Sequence, residues 1–351
     1  MPSPRTASEH KSDLTFVRRV FIVVAVGALI AAVWALSDIL LLLFGAVLFA
    51  VMLHALASPL QARLGFGRRL SLVLAGTSVI ILLAGAGFYF GPELVIEMQS
   101  LATTLPEAAN RLASYLGLGT MADLIRDGTA ASALGGLASR VIAWSTTITG
   151  ALGSLLLVFF GGVYLAVDPR LYRDGLVKLV PPPLQPNVNA TLDDAGEALR
   201  RWLRGQLLAM LLVGVFTGLG MWLIGVPSAF ALGIIAGLAE FVPIVGPIVA
   251  AIPALLLAGS QSPQTVLLAL AVLVVVQQVE SNLITPLIAA RTVAIAPAVG
   301  LFAVVAMGVL FGPLGLLLGF PLAIVLDVAI RRLYVRETLG ENVQIIGKSA
   351  N

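Results

Sequence analysis

Residues 239–253 read AEFVPIVGPIVAAIP, an apolar stretch that contains one glutamate, three prolines and one glycine. Such hydrophobicity is typical of a membrane-spanning helix, yet lipid can satisfy neither a charge nor the backbone groups that a broken helix frees. Proline removes a backbone N–H, and the break around Pro243, Gly246 and Pro247 exposes carbonyls. We therefore expect a broken segment in which Glu240 is buried in protein or lies beside a water-filled path.

The composition of the 351-residue chain is that of an integral membrane protein. The chain is 59% hydrophobic and 11% charged, with a mean hydropathy of +1.03, whereas ordinary globular domains are about a quarter charged. Most of its apolar surface is therefore expected to face lipid. The chain has no cysteine and two histidines, and its net charge is +3. These counts exclude disulfides and predict no metal site, no cofactor and no nucleic-acid partner.

Long apolar runs that do not alternate predict helices rather than barrel strands. The runs cover residues 18–36, 39–60, 70–91, 141–167, 206–226, 229–258, 264–286 and 297–330. The last would be about 51 Å long as one straight helix, which is too long for a single crossing. Gly312-Pro313 divides it, as Gly246-Pro247 divides 229–258. We predict an all-α polytopic membrane protein with about eight membrane segments, two of them broken or re-entrant Gly-Pro hairpins. Two long, kinked single spans are the alternative.

Arginines and lysines at the ends of the apolar runs set the expected orientation. They place the N- and C-termini on the cytoplasmic side of the cell inner membrane. The expected parts are an N-terminal tail (1–17), three transmembrane helices (18–91), an extracytoplasmic amphipathic helical segment (92–140), a transmembrane helix (141–167), a cytoplasmic connection with an amphipathic helix (168–204), a C-terminal bundle with broken helices (205–334) and a cytoplasmic tail (335–351).

Three acidic residues fall clearly within apolar runs: Glu240, Glu280 and Asp327. A charged carboxylate at the bilayer centre costs about 2.5–3.5 kcal/mol on insertion scales, so each is a functional candidate. For Asp327, Arg331 follows at i+4, which favours a structural ion pair.

Glu280 lies in QQVESNLITP (277–286). If this stretch is helical, Gln277 and Glu280 lie on one face of the helix and Asn282 lies on the adjoining face. We predict that Glu240 and Glu280 bind the coupling ion, with Gln277 and Asn282 as hydrogen-bonding ligands. The alternative is a hydrogen-bonded lock between helices.

The two Gly-Pro breaks, IVGPIVAAIP (244–253) and LFGPLGLLLGFP (310–321), form a pair of interrupted apolar segments. Such pairs indicate the substrate site of a transporter. The predicted gates are Pro243, Gly246, Pro247, Gly312 and Pro313, and kinks that only aid packing are the alternative. The chain has no P-loop, H-E-x-x-H or G-x-S-x-G motif. We therefore expect no enzyme activity, and transport that is coupled to an ion gradient or runs downhill.

Three stretches taken in order resemble the autoinducer-2 exporter family of bacterial and archaeal membrane proteins. They are LAEFVPIVGPIVAAIPALLL (238–257), QQVESNLITPLI (277–288) and VAIAPAVGLFAVVAMGVLFGPLGLLLGFPLAIVLDVAIRRL (293–333). The family's motifs map to Pro243, Gly246 and Pro247 in the first break, to Glu280 and Asn282 in the next span, and to Gly312 and Gly315 in the last break. The chain departs from the family at Leu287, where members often have a basic residue. It also has Ala294-Ile295-Ala296-Pro297 where members often read Gly-x-His-Pro.

The resemblance implies a transporter, since studied members export autoinducer-2 or exchange sodium (or lithium) for protons. It also implies a homo-oligomer, with a pentamer as one arrangement. We therefore predict a secondary transporter in the lipid bilayer that exports a small polar solute, such as a quorum-sensing signal, with H⁺ or Na⁺ as a further partner. A sodium(lithium)/proton antiporter and a non-transporting membrane scaffold are the alternatives.

Overall fold

A computed structural model of the chain describes residues 20–81 except 22, 25–26 and 29–30, residues 85 and 88, and residues 148–284, 296–337 and 339–340. The predicted extracytoplasmic segment 92–140 lies outside the described residues, as do Leu287 and Ala294-Ile295. Within the described ranges, every regular element is a helix.

Eight α-helices are named here, with the shorter turns that extend three of them. They are α1 (Ser37–Leu64), α2 (Ile148–Val167), α3 (Pro169–Lys178), α4 (Gln185–Leu223, after a 3₁₀ turn at Pro182–Leu184), α5 (Ala229–Ala239), α6 (Val245–Gln261), α7 (Pro263–Val279, with a π turn at Glu280–Ile284) and α8 (Pro297–Ala329, with a π turn at Ile330–Arg336). Residues 68–81, after α1, are also helical.

By length and composition, four helices in the described part are able to cross a membrane: Ser37–Leu64, Pro182–Leu223, Pro263–Asn282 and Ala298–Arg336. A fifth is obtained if Gly153–Val167 and Pro169–Lys178, which are bent by 89°, count as one span. The prediction of an all-helical, multi-pass membrane protein is therefore confirmed. The described residues show four or five such helices against the eight or so segments expected.

Local sequence explains where several helices begin and end. Gly65, which follows α1, has φ 66° and donates its N–H to the carbonyl of Gln61 at 3.2 Å, a left-handed C-terminal cap that glycine adopts without strain. At the start of α7 the Ser262 hydroxyl accepts the N–H of Thr265 at 3.1 Å, and Pro263 fills the first position. Proline suits that position because its missing N–H would have no helical partner there.

The long helix α4 is the central element of the described fold. It contacts α1, α3, α5, α7 and α8. Its first half carries the acidic and basic residues of the expected amphipathic connection, and its second half is apolar. The expected boundary between residues 204 and 205 falls inside this single helix, because a change from polar to apolar composition does not interrupt helical hydrogen bonding.

Helices α4 and α5 pack with their backbones in contact. A Cβ added to Gly233 would lie 2.6 Å from the carbonyl oxygen of Gly214 and 2.8 Å from the Cα of Gly218. One added to Gly237 would lie 2.7 Å from the carbonyl oxygen of Met210. Small residues at i and i+4 on both helices allow this close approach, as in many membrane helix pairs. The contact fixes the end of α5, where Glu240 follows.

Helix α8 is two arms that fold back on each other at Gly312. This glycine has φ 64° and ψ −146°, a region that residues with a Cβ rarely adopt. A Cβ on Gly300 would lie 2.6 Å from the ring of Phe320, and one on Gly308 would lie 2.9 Å from Leu316. Gly300 and Phe320 would be about 30 Å apart along a straight helix. The first arm, residues 297–311, is therefore about 22 Å long and shorter than the roughly 30 Å of hydrocarbon in a bilayer.

One ion pair ties the end of α8 to α4. Asp194 pairs with Arg332, and each side chain is 13% exposed. The neighbouring Asp193 pairs with Arg173 at 2.6 Å, but the Asp193 side chain is 61% exposed. Loss of one partner from a buried pair costs about 3–5 kcal/mol because a charge is left uncompensated, whereas an exposed pair contributes about 0–1 kcal/mol.

We expect Asp194→Asn to lower the free energy of unfolding by about 3 kcal/mol and the adjacent control Asp193→Asn by less than about 1 kcal/mol. Detergent-titrated unfolding in mixed micelles, followed by circular dichroism, measures both. Equal effects from the two substitutions would show that the Asp194–Arg332 pair does not hold the end of α8.

Candidate functional site

The turn between α5 and α6 holds Glu240 inside the protein. Glu240 is 2% exposed, and its N–H donates to the carbonyl of Ala236 at 3.0 Å. A Cβ on Gly246 would overlap the carbonyl of Ala239, so only glycine fits where the chain folds back. The predicted break at Pro243, Gly246 and Pro247 therefore lies in a tight turn.

Ile244 gives this turn an unusual backbone. It has φ 71° and ψ −49°, and the N–H of Val245 donates to the carbonyl of Pro243 across it at 2.9 Å. This is a three-residue γ-turn of the rare, strained form, and a β-branched residue there is an outlier. Such strain persists only where the surrounding structure holds it, and it concentrates at functional sites.

A glutamine from α4 satisfies the backbone of the break. The side-chain amide of Gln206 donates to the carbonyl of Glu240 at 2.5 Å, and Gln206 is buried. Sequence reasoning missed Gln206, because a glutamine at the start of an apolar run looks like an ordinary interfacial residue. The signal was available, since a broken membrane helix needs a donor for each carbonyl that it frees.

The carboxyl groups of Glu240 and Glu280 lie close enough to interact electrostatically and to share a hydrogen bond. The amide of Gln277 donates to the Glu280 Oε2 at 2.6 Å. Two carboxyl groups this close can share one proton, because a protonated carboxyl donates a hydrogen bond and an ionised carboxylate only accepts one. The structure thus brings together three of the four residues predicted from sequence.

A small cavity adjoins the carboxyl pair. Its volume is about 40 Å³, and Glu240, Gln277, Thr217 and Pro247 are among the residues that line it. That volume is enough for water molecules, which need about 10–15 Å³ each by this measure. Among the described residues, the buried Glu240 Oε2 has no hydrogen-bond partner. The site therefore combines an unpartnered carboxyl oxygen with nearby room for a proton carrier or a small cation.

Asn282 lies on the neighbouring face at the same end of the helix, and its amide bonds to Gln278 rather than to the carboxyl pair. Its amide donates to the carbonyl and the side-chain oxygen of Gln278 at 2.9 and 2.7 Å. Gln277, Gln278, Ser281 and Asn282 are all exposed on the single chain. Polar side chains at membrane depth require protein or water as neighbours, so this face of α7 is not a lipid-facing surface.

The second break lies apart from the carboxyl pair. Gly312 and Pro313 do not line its cavity within the described structure. Trp202 of α4 links the two regions. Its ring lies edge-on to the ring of Phe241 and stacks on the ring of Phe320, with 5.7 Å between ring centroids in both pairs. Neither Trp202 nor Phe241 was predicted from the sequence to be a site residue.

The third acidic residue of the apolar runs forms a separate pair. Arg331 Nε donates to the Asp327 Oδ2 at 2.8 Å, one helical turn along the chain. This geometry is that of a local structural contact on α8. In the described part of the chain, no group of three or more histidine, aspartate or glutamate side chains is arranged to hold a metal ion.

These features define a multi-pass helical membrane protein with a broken helix and a carboxyl pair within its apolar region. The profile of the AI-2E family transporter matches residues 21–334. The chain belongs to this family, and the resemblance seen in its motifs is confirmed.

Several relatives are described as candidate transport proteins. The chain is 34% identical to YrrI of Bacillus subtilis (strain 168) over 165 residues, which is 47% of this chain and 47% of YrrI. It is 29% identical to YueF of the same strain over 212 residues, covering 59% of this chain and 57% of YueF. The chain thus matches about half the length of these two relatives. It is 26% identical to MT0215 of Mycobacterium tuberculosis (strain CDC 1551 / Oshkosh) over 312 residues, 85% of this chain and 84% of that protein.

Proposed function

We propose that the protein is a secondary transporter that exports a small polar solute, such as a quorum-sensing signal of the autoinducer-2 type, coupled to H⁺ or Na⁺. The observation that supports this most is the contact between Glu240 and Glu280 in a chain of a transporter family. Two carboxyl groups so close disfavour a double negative charge and favour a shared proton or cation. A pair of this kind is suited to binding and releasing a coupling ion.

The two folded-back segments are the proposed gates. In this proposal, the chain turns back at residues 240–244 and at Gly312. Irregular backbone is tolerated at membrane depth only inside protein or beside water. In this proposal, Pro243, Gly246 and Pro247 form the break beside the carboxyl pair, while Gly312 and Pro313 form the second break.

The exposed polar face of α7 supports a homo-oligomer, in which a second copy or a shared aqueous path covers Gln278 and Asn282. A pentamer is the arrangement that the family resemblance implies. The arginines at the ends of the apolar runs favour the inner membrane with both termini in the cytoplasm.

Sodium(lithium)/proton antiport is the second candidate, and the size of the cavity favours it. Sites for small molecules usually measure about 300–1,000 Å³, whereas the cavity beside Glu240 measures about 40 Å³. That space suits a dehydrated ion better than an organic solute. The same carboxyl pair would then alternate between a proton and a monovalent cation.

The test is flux in proteoliposomes that contain only this protein. A pH-sensitive dye inside the vesicles reports proton movement, and a sodium-sensitive dye in a parallel batch reports sodium movement, when an outward gradient of sodium, lithium or a candidate solute is imposed. We expect solute-dependent proton or sodium flux if the export proposal holds, and sodium- or lithium-dependent proton flux without solute if the protein is an antiporter. A reconstituted oligomer without any flux would contradict both transport proposals and would favour the non-transporting membrane scaffold.

A further inference from the structure

An apolar groove lies apart from the carboxyl pair, between α1, α2 and the second arm of α8. Its volume is about 190 Å³, and all of its lining residues are apolar, among them Leu41, Met52, Leu203, Phe241 and Leu317. Along α1 the lining extends from Leu41 to Met52, which is about 16 Å at 1.5 Å per residue. One leaflet of a bilayer contributes about half of the 30 Å of hydrocarbon. The groove therefore has the length of a single leaflet.

Basic residues gather at one end of this groove. His54 and Ser58 follow Met52 on α1, and Arg200 and Arg204 flank Leu203 on α4. The Arg204 Nη2 donates to the Ser58 hydroxyl at 3.1 Å, which joins the two helices. The Nδ1–H of His54 donates to the carbonyl of Ala50 on the same helix at 2.9 Å.

The positive charge at this end is only partly compensated. Glu197 accepts hydrogen bonds from Arg200 and Arg201, both at 2.8 Å. Arg204 is exposed and has no carboxylate partner among the described residues, where it bonds to the Ser58 hydroxyl. The exposed guanidinium group of Arg204 has free donors that match the oxygen atoms of a phosphate.

We propose that this groove binds an anionic phospholipid, with its phosphate on Arg200 and Arg204 and an acyl chain along α1. The basic end and the apolar length together select this ligand. A free phosphate would meet the charges but leave the groove unused, and a zwitterionic lipid would use the groove without the net charge that the arginines favour. Because the groove includes Phe241, the bound chain would contact the residue next to Glu240.

The experiment is native mass spectrometry of the full chain, delipidated in detergent and titrated with dioleoyl phosphatidylglycerol or dioleoyl phosphatidylcholine. Glycerol phosphate, which has the headgroup charge without chains, is titrated in parallel. We expect retention of phosphatidylglycerol in preference to phosphatidylcholine, and no retention of glycerol phosphate. Arg204→Gln should weaken phosphatidylglycerol binding about fivefold, the effect of one arginine near an anionic headgroup.

Two further variants test the two ends of the site separately. Arg336→Gln removes the same charge from an exposed position that does not line the groove, and it should leave binding unchanged. Leu317→Trp, at a lining residue that is 42% exposed, should obstruct the groove and reduce retention of both lipids. Equal weakening by Arg204→Gln and Arg336→Gln, or equal binding of the two lipids, would overturn the proposal. A change in oligomer mass with Leu317→Trp at constant lipid retention would also overturn it, because a second copy would then cover the groove.

Discussion

Glu280→Gln is expected to reduce coupled transport in proteoliposomes to the level of protein-free vesicles. Glutamine keeps the shape of the side chain, and its amide can still donate to Glu240, so the contact between the two residues is preserved. What is lost is the exchangeable proton and the second negative charge, which the proposed ion binding requires. Internal dye fluorescence after a pH jump, measured with equal amounts of reconstituted protein, gives the rate.

The matched control is Glu337→Gln, which makes the same chemical change at an exposed residue after the last π turn. We expect this variant to transport at the wild-type rate with the wild-type pH dependence. If Glu280→Gln also kept the wild-type rate and pH dependence, the carboxyl pair would not be the coupling site. Loss of the oligomer on size-exclusion chromatography with Glu280→Gln would instead indicate a structural lock.

Gly233→Ala is expected to destabilise the protein by about 1–3 kcal/mol, the usual cost of inserting a methyl group into a packed contact. The new Cβ would lie 2.6 Å from the carbonyl oxygen of Gly214, and backbone atoms cannot rotate away as a flexible side chain can. Relief requires α5 to move from α4. That movement would also stretch the bond from Gln206 to the carbonyl of Glu240.

The control for this variant is Gly196→Ala, in the interior of α4, where an added Cβ meets nothing within 4 Å. It should stabilise the protein by about 0.5–1 kcal/mol, because alanine is favoured over glycine in helices. Thermal unfolding in a fixed detergent measures both variants. A Gly233→Ala protein as stable as Gly196→Ala would show that the backbones of α4 and α5 are not in contact.

The broken segment and its buried acid were predictable because lipid offers no hydrogen bonds. A charge and three prolines in an apolar stretch are tolerated only inside protein, so the sequence alone placed Glu240 in a protected turn. The same reasoning marked Glu280 and Gln277, since a polar helical face in an apolar span also needs protein or water.

The sequence predicted a shared role for Glu240 and Glu280 but not how close their side chains lie. The two residues are 40 positions apart, and the distance between them depends on how α5, α6 and α7 pack. Gln206 was not predicted for the same reason, because its role depends on its contact with the carbonyl of Glu240, which is distant in sequence. The sequence analysis did not predict that α4 is one continuous helix. A change in composition indicates which residues are buried, whereas the ends of a helix depend on capping and helix-breaking residues. Gly214 and Gly218, spaced like a membrane helix contact, were a usable signal that was not used.

The position of Trp202 makes it an intrinsic fluorescent probe of the two broken segments. An indole held between Phe241 and Phe320 will alter its emission whenever the two broken segments move relative to each other. Ligand titrations can therefore follow the proposed gating by intrinsic fluorescence without an attached dye. Trp202→Phe is the blank that accounts for the other three tryptophans.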